Sequence, residues 1–429
     1  MKLSPKVEAP AEFSSSARSF DEIDSRPRPR PSITALIILG TALVVALLVH
    51  NKPGWGDEDW GHLPQIMAFV EGSWEIKPWL PYFPGYHLVI AGLAKIFDVD
   101  SLPGVRTLTL LVSLPSVWVF YLCAKTLDYR TSTLRTLQYF FLPIIFPFFF
   151  LVYTDAFALL LVLLSLYAFL SERFALSGVT AATSLLVRQT NIIWLAMLFV
   201  MIYLEENGLS FSLRSLKQHC RRHWIFSVSL IAFLVFIVWN GGAVLNTASM
   251  SAFHPSTALK TGNLFFSLVV FFMIFLPSIL HNLRRGIRAV RSEPGSIVLL
   301  LIVCLIYWLT FAADHPAQRS DWFLRNRFLH FVEATQARRA LLLLPIGLSL
   351  ISLRVTRLRR PSLYVLYGAW PLSLLPIWLI EQRYYMPIFA MFLLFRVRET
   401  PAVEIGTTVY FIALTGLFMT GMLRHLFFL

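Results

Sequence analysis

Charged residues are scarce in this sequence: they make up only 14% of its 429 residues, whereas hydrophobic residues make up 57%. Such a chain cannot surround its core with a water-exposed surface, so a soluble globular protein is excluded. Lipid must be the solvent for most of the chain. At roughly 20 apolar residues per crossing, the length allows about 12 to 14 membrane spans and no soluble domain of useful size.

Cysteines are few and the common catalytic motifs are absent. Cys123, Cys220 and Cys304 are odd in number and lie in apolar runs or beside basic clusters, so no disulfide framework is expected. No GxxxxGK(S/T), HExxH, GxSxG or paired CxxC motif occurs, so nucleotide, zinc-dependent and serine-dependent hydrolysis lack their usual residues. At the candidate catalytic residues we expect no metal and no other cofactor, because no second ligand cluster accompanies the carboxylates at 57–59.

The excess of positive charge does not indicate binding to nucleic acid. The formal net charge is +13, but Lys and Arg occur in short clusters between apolar runs, as in the cytoplasmic loops of membrane proteins. Residues 1–32 are polar and rich in Ser and Pro, which predicts a disordered cytoplasmic tail. Residues 33–429 are predicted to form one transmembrane domain.

The apolar runs predict about 13 membrane crossings, with the amino terminus in the cytoplasm and the carboxyl terminus outside. Residues 51–104 then form one external loop, in which the short apolar stretch 84–97 is expected to be an interfacial helix. The predicted spans are 33–50, 105–126, 137–153, 156–170, 174–187, 191–204, 224–240, 264–281, 295–313, 340–353, 362–380, 385–396 and 406–423.

On this topology the unlike polar residues collect at the external face, whereas the cytoplasmic loops contain arginine clusters. Polar groups at the ends of several helices on one face predict a functional site there. The groups at this face are Asp57, Glu58, Asp59, His62, Asp155 and the segments 188–191, 240–242, 325–327 and 381–383.

These groups also have structural interpretations. The carboxylates at 57–59 could form a solvated loop, and Asp155 could cap a helix. Glu381 and Arg383 could simply pair with each other. Arg188 is more informative, because a guanidinium between the apolar segments LLV and NIIW needs an acidic side chain or an anionic ligand as its partner.

Several sequence blocks resemble a known family. The strongest match is RQTNIIW at 188–194, and the others are DE, HLPQ and EG within 57–72, PG and LV within 84–89, YTDA at 153–156, NGG at 240–242 and LIEQRYYMP at 379–387. In this order they resemble the dolichyl-phosphoglucose-dependent α-1,2-glucosyltransferases. Those multi-span enzymes of the GT-C class add the terminal glucose to the lipid-linked oligosaccharide for N-glycosylation.

The sequence departs from the family pattern in three places that concern the site, one of which is its RYY block, which is one residue shorter than the family's. One extra residue separates the acids from His62, so the family's leading acid corresponds to Asp57 or, without a gap, to Glu58. The family's HPxLLADNR block is rearranged: His315-Pro316 and Asp321 keep their spacing, and Asn326-Arg327 lies further on. The donor class is therefore better supported than the identity of the acceptor.

The resemblance implies an all-α integral membrane protein with a GT-C-like bundle and an inverting transfer of glucose from dolichyl phosphate. Because the departing phosphate is already stable as an anion, one carboxylate suffices to deprotonate the attacking hydroxyl, unlike the paired carboxylates of glycosidases. Asp57 is the expected base, with Glu58 and Asp59 as the other candidates. The expected donor-phosphate and substrate-binding residues are Arg188, Gln189, Asn191, Arg383, Tyr384, Arg327, His62 and Asp155.

The expected partners are a polyprenyl-phosphate-sugar donor, a lipid-linked oligosaccharide acceptor and membrane lipid. A lipid or solute transporter is the alternative from another class, but such proteins show internal repeats and midplane charges, and neither is visible here. A bacterial GT-C enzyme with another polyprenyl-linked sugar and acceptor, or a noncatalytic subunit, also stays open. The expected location is the endoplasmic reticulum membrane in a eukaryote or the plasma membrane in a bacterium, with the active site on the non-cytoplasmic face.

Overall fold

The computed structural model of the chain describes residues 31–245, 259–319 and 326–426. The predicted tail, residues 1–32, lies outside the described residues except for its last two. Within the described residues the chain is helical and contains no strand beyond an isolated antiparallel bridge between Leu358 and Arg396. The predicted all-α class is therefore confirmed.

The helices carry our own numbering in chain order. They are α1 (Pro31–His50), α2 (Leu63–Val70), α3 (Gly85–Phe97), α4 (Leu102–Ser113), α5 (Pro115–Leu127), α6 (Ser132–Phe140), α7 (Thr154–Leu170), α8 (Phe174–Leu185), α9 (Ile192–Asn207), α10 (Leu213–Arg222), α11 (Trp224–Asn240), α12 (Gly262–Ile274), α13 (Leu276–Ser292), α14 (Pro294–Thr310), α15 (Asn326–Glu333), α16 (Gln336–Leu341), α17 (Leu343–Val355), α18 (Val365–Leu374), α19 (Met386–Phe395) and α20 (Pro401–Leu423). A single turn of π-helix occurs at Glu58–His62. Short 3₁₀-helices occur at Phe146–Phe149, Gln189–Asn191, Pro316–Arg319, Pro361–Tyr364 and Gln382–Tyr385.

Several of these helices can cross a membrane, and the protein is a multi-pass membrane protein. By length and apolar character, α1, the continuous stretch Leu102–Leu127 and α20 can each cross alone. The pair α10 and α11, bent by 94°, and the pair α12 and α13, bent by 99°, raise the number to five if each pair is one span. Thirteen full-length spans are not confirmed among the described residues. The helix predicted at 84–97 is present as α3.

The predicted span at 137–153 is wrong as a helix. Helix α6 ends at Phe140, and the chain then turns through Phe146–Phe149 before α7 begins. Pro143 and Pro147 each lack the backbone N–H that a helix needs, which explains the break. The aromatic side chains of this stretch are buried in the protein, so its irregular backbone does not face lipid. Hydropathy alone could not distinguish these two environments.

Proline also interrupts two other predicted spans. The span at 264–281 is broken at Phe275, because Pro277 lies in the first turn of α13 and cannot continue α12. The span at 362–380 ends early, since α18 stops at Leu374 just before Pro376. Both breaks leave helices shorter than a bilayer core, which is about 30 Å thick.

Helix α19 lies in the centre of the bundle. Every side chain from Ile388 to Phe395 is buried, as expected of a helix that is apolar all round and surrounded by other helices. At its carboxyl end, Arg396 donates to both oxygens of Glu404 at 3.0 and 2.8 Å, and Arg135 donates to Glu404 at 3.1 Å. This buried ion network joins α6 and α20 at one end of the bundle, and the candidate site lies at the other.

Candidate active site

The acidic segment 57–59 contains three carboxylates with three different environments. Glu58 is fully buried, and Arg106 binds it with two nitrogens, Nε at 3.1 Å and Nη2 at 2.6 Å. The backbone N–H groups of Trp55 and Val152 also donate to Glu58, at 2.9 and 2.8 Å. Both oxygens of Glu58 are therefore occupied by the protein, which anchors the start of the loop to α4.

The carboxylate of Asp57 is directed to Arg383 and not, like that of Glu58, to Arg106. Its side chain is 23% exposed, and its Oδ2 lies 3.4 Å from Nη2 of Arg383. Its backbone N–H donates to the hydroxyl of Tyr153 at 2.9 Å, which fixes the position of the segment. Asp59 is exposed and lies over Gly54, where a β-carbon would overlap its carboxylate. Among these acids, Asp57 is the one that combines an accessible carboxylate with a neighbouring cation.

Arg188 is buried and pairs with Asp155, so the predicted need of this guanidinium for an acidic partner is confirmed. Its Nη2 also lies 3.3 Å from the hydroxyl of Tyr82, and its guanidinium stacks on the rings of Tyr82 and Tyr384 at 4.8 and 5.5 Å. The interpretation of Asp155 as a helix cap is wrong, because Tyr153 occupies the N-cap position of α7 and Asp155 lies inside the first turn. The side chain of Asp155 pairs with the buried guanidinium of Arg188 instead of capping the helix.

Arg383 connects the acidic groups of the site. It pairs with Glu381, and its Nη1 lies 4.0 Å from Oδ2 of Asp155. Its guanidinium also lies over the ring of Tyr153 at 5.3 Å. Although burial opposes the charged form, Glu381 and Asp57 raise the pKa of Arg383 above its usual value, so its charge is secure.

The charged groups converge on a small cavity of about 30 Å³. Asp155, Arg188, Asn191, Arg383 and Tyr384 are among the residues that line it. Arg188 Nε and Asp155 Oδ2 are buried there without a hydrogen-bond partner. The volume suits about one water molecule and is too small for a sugar phosphate, so the cavity marks where the charges meet.

His62 lies behind the site rather than in it. Its Nδ1 is 2.9 Å from Nε2 of His87, and its ring contacts the edge of Tyr153 at 5.2 Å. Burial, together with Arg383 and Arg188, lowers the pKa of His62 to about 3. The ring is therefore neutral at physiological pH and supports Tyr153, which in turn holds Asp57.

The amides of the RQTN segment hold the backbone of the site. Gln189 Nε2 donates to the carbonyl of Pro81 at 3.0 Å, and Asn191 Nδ2 donates to the carbonyl of Ser184 at 3.2 Å. Arg327 belongs to α15, but its side chain lies outside the described part of the chain, as do Asp321 and Arg325. The structure therefore brings Asp57, Asp155, Arg188, Arg383 and Tyr384 together, with Gln189 and Asn191 beside them. Glu58, Asp59 and His62 lie next to this group without contacting its arginines, and the side chain of Arg327 is not described.

Sequence reasoning missed Asn263, Tyr82 and Arg106. Asn263, at the start of α12, donates to the carbonyls of Ile377 and Leu379 at 2.9 and 2.7 Å. Its Oδ1 accepts from the Tyr385 hydroxyl at 2.9 Å, so one amide fixes the backbone before Arg383 and the side chain of Tyr385 after it. A buried polar residue at the start of an apolar helix was the available signal for Asn263. Nothing in the local sequence marked Tyr82.

Part of the sequence that forms this site matches a known protein family. A family model described as the DIE2/ALG10 family matches residues 55–213. The predicted resemblance is confirmed. The match to the DIE2/ALG10 family includes Asp57, Asp155 and Arg188, and it ends before Arg383 and Tyr384.

Curated proteins extend the resemblance. The rat Dol-P-Glc:Glc(2)Man(9)GlcNAc(2)-PP-Dol alpha-1,2-glucosyltransferase is 25% identical over 247 residues, which cover 44% of this chain and 51% of the rat protein. The mouse protein of the same name is 24% identical over 313 residues, or 58% of this chain and 64% of its own. A human protein of that name is 30% identical over 152 residues, or 31% and 32%. The matches thus span less than two thirds of these DIE2/ALG10-like relatives, and no solved structure is significantly similar to the chain.

Proposed function

We propose that this protein is an inverting glucosyltransferase that moves glucose from a polyprenyl (dolichyl) phosphate donor to a lipid-linked oligosaccharide and forms an α-1,2 linkage. The observation that carries the proposal is the convergence of two buried arginines, Arg188 and Arg383, beside the accessible carboxylate of Asp57. The similar rat, mouse and human proteins are named for this transfer, with Dol-P-Glc as donor. We propose the GT-C-like architecture for the bundle on the same grounds.

The two guanidiniums suit a phosphate. Arginine presents a planar fork of N–H donors that binds phosphate oxygens with two parallel hydrogen bonds. Asp155 and Glu381 hold the two forks in fixed orientations, so little side-chain entropy is lost when a donor binds. The cavity between them must widen for a sugar phosphate to enter, and Tyr82 and Tyr384, which stack on Arg188, lie in position to contact the sugar or the prenyl chain.

The proposed reaction needs one base. The hydroxyl of the acceptor glucose attacks the anomeric carbon of the donor, and the bond from that carbon to the phosphate oxygen breaks. The proton moves to the carboxylate of Asp57, and the phosphate leaves with the bonding electron pair, held by Arg383 and Arg188. Attack opposite to the leaving group inverts a β-linked donor to an α-linked product. Glu58 does not suit this task, because Arg106 and two backbone N–H groups occupy both its oxygens.

The test is glucose transfer by the purified full-length protein in detergent, with defined polyprenyl-phosphate-glucose and a synthetic lipid-linked glycan that ends in glucose. We expect an α-1,2-linked product without added nucleotide sugar, identified by mass and by its sensitivity to an α-1,2-specific glucosidase. Polyprenyl-phosphate-mannose is the matched control and should be a much poorer donor. Absence of product, with movement of donor lipid across a vesicle membrane instead, would favour the transporter alternative.

We also propose that the site faces the non-cytoplasmic side, because it lies at the starts of α7, α9 and α19, whereas the basic residues Arg173, Arg222 and Arg396 lie at the other ends of these helices. In membrane vesicles of known orientation, cysteine at Ser73 should react with an impermeant thiol reagent from the non-cytoplasmic side, and cysteine at Ser292 should not. Both positions are exposed. Cys220 and Cys304 are replaced first, and buried Cys123 serves as the unreactive control. The opposite labelling would overturn the orientation of the site.

A further inference from the structure

Two histidines and a carboxylate converge at the end of α9 that lies away from the candidate active site. Glu206 is in the last turn of α9, and His219 and His223 lie one helical turn apart at the end of α10. One ligand atom from each residue lies within 4.8 Å of those of the other two. Because α9 has 16 residues, about 24 Å of helix separates this cluster from Arg188.

We propose that Glu206, His219 and His223 bind a divalent transition-metal ion, best matched by Zn²⁺, which clamps the basic helix α10 to α9. Two imidazoles and a carboxylate are preferred zinc ligands, whereas calcium and magnesium prefer oxygen-only sites. Nothing in the family resemblance requires this metal. The proposal therefore stands or falls independently of glucosyl transfer.

The spacing of the ligands fits a metal. Residues four apart on a helix project from the same face, so His219 and His223 present their rings together. Oε2 of Glu206 lies 3.1 Å from Nδ1 of His219, and Oε1 lies 3.1 Å from Nε2 of His223. Ligand atoms around a tetrahedral zinc ion, with bonds of about 2.0 to 2.1 Å, are about 3.3 Å apart. Small side-chain adjustments would therefore accommodate the ion.

The hydrogen bonds of His219 give the strongest argument. Its Nε2 is 3.1 Å from the carbonyl oxygen of Phe199, which can only accept, so Nε2 carries a proton. In a neutral ring, Nδ1 is then a bare acceptor that points at the carboxylate of Glu206, another acceptor. A metal ion between them removes this conflict. A ring whose other N–H donates to a backbone carbonyl is the usual arrangement of metal-bound histidine.

The surroundings leave one coordination position open. The side chains of His219 and His223 are buried, whereas that of Glu206 is 21% exposed, which leaves room for a water ligand on the outer side. Arg222 lies 3.0 Å from Oε1 of Glu206, but its side chain is 65% exposed and can move away or keep a carboxylate oxygen that does not bind metal. Since α10 bends by 94° from α11, a clamp at this point would fix the direction of the basic helix.

The experiment measures metal bound to purified full-length protein from which any polyhistidine tag has been cleaved. After chelator treatment and dialysis, Zn²⁺ is titrated in competition with a chromophoric chelator, and Co²⁺ is added separately to record its visible spectrum. We expect one ion per chain, a tetrahedral Co²⁺ spectrum and a higher melting temperature with Zn²⁺. The double variant His219→Gln and His223→Gln should bind at least about a hundredfold more weakly, given that even outer-shell partners affect affinity by 10- to 100-fold.

Two further variants keep the test decisive if the double variant fails to fold. His281→Gln removes an exposed histidine on α13 and should bind zinc like the wild type. His223→Cys substitutes another good zinc ligand, and its Co²⁺ complex should gain an intense thiolate charge-transfer band. Folded wild-type protein that binds no metal would overturn the proposal. Zinc binding that is unchanged in the folded double variant, or Co²⁺ binding to the cysteine variant without the new band, would also overturn it.

Discussion

The Asp57→Asn variant should lose glucose transfer by about a hundred- to ten-thousand-fold, with little change in donor affinity. Asparagine has the size of aspartate, and its amide oxygen can still accept a hydrogen bond from Arg383. It cannot accept the proton of the attacking hydroxyl. The effect should therefore appear in kcat rather than in KM. It is measured as initial rates of transfer at saturating donor and as binding of polyprenyl-phosphate-glucose to the same preparation.

The neighbouring acids are the matched controls for this prediction. Asp59→Asn should have a milder effect, because its carboxylate is exposed and contacts neither arginine of the site. Glu58→Gln should instead lose about 3 to 5 kcal/mol of folding stability, since it leaves the buried guanidinium of Arg106 without its charge partner. If Glu58→Gln proved stable but inactive while Asp57→Asn kept its turnover, Glu58 would be the base. Near-native turnover in all three variants would show that the acidic segment does not supply the base.

The sequence predicted the helical class and the positions of many helices, because apolar runs and the prolines and polar residues between them are local signals. The helices predicted at 33–50, 156–170 and 224–240 agree closely with α1, α7 and α11. In the aromatic segment 141–153, Pro143 and Pro147 were a local signal for the break in the helix, but the burial of the side chains in the protein could not be predicted in this way. Its side chains are as apolar as those of a span, and only the packing of other helices around them determines that they face protein instead of lipid.

The site was predicted in its residue types but not in its pairings. The buried position of Arg188 was readable from its apolar flanks, and its need for a partner followed from physical chemistry. That the partner is Asp155, 33 residues earlier, depends on how α7 and the RQTN turn pack. The separation of Asp57 from Glu58 likewise depends on Arg106, which lies 48 residues beyond Glu58 and gives no sign of its role in the sequence.

The Arg188→Lys variant should keep the fold but lose donor affinity by about ten- to a hundredfold, the effect expected for hydrogen bonds to a charged group. An ammonium can still neutralise Asp155, but it cannot offer a planar fork to a phosphate or stack in the same way on Tyr82. The measurement is the KM for polyprenyl-phosphate-glucose together with the melting temperature. Arg188→Ala should lose both donor affinity and stability, since it leaves the buried Asp155 unpaired.

A double variant separates the structural contribution of Arg188 from its binding role. Replacing Arg188 by Met and Asp155 by Leu removes both charges of the buried pair and fills a similar volume, so stability should return close to the wild-type value. Donor affinity should stay low, because the phosphate still lacks one of its two guanidiniums and Arg383 alone remains. Recovery of donor affinity along with stability, or full donor affinity in Arg188→Lys, would mean that Arg188 serves only to neutralise Asp155. The phosphate site would then have to be sought around Arg383 without it.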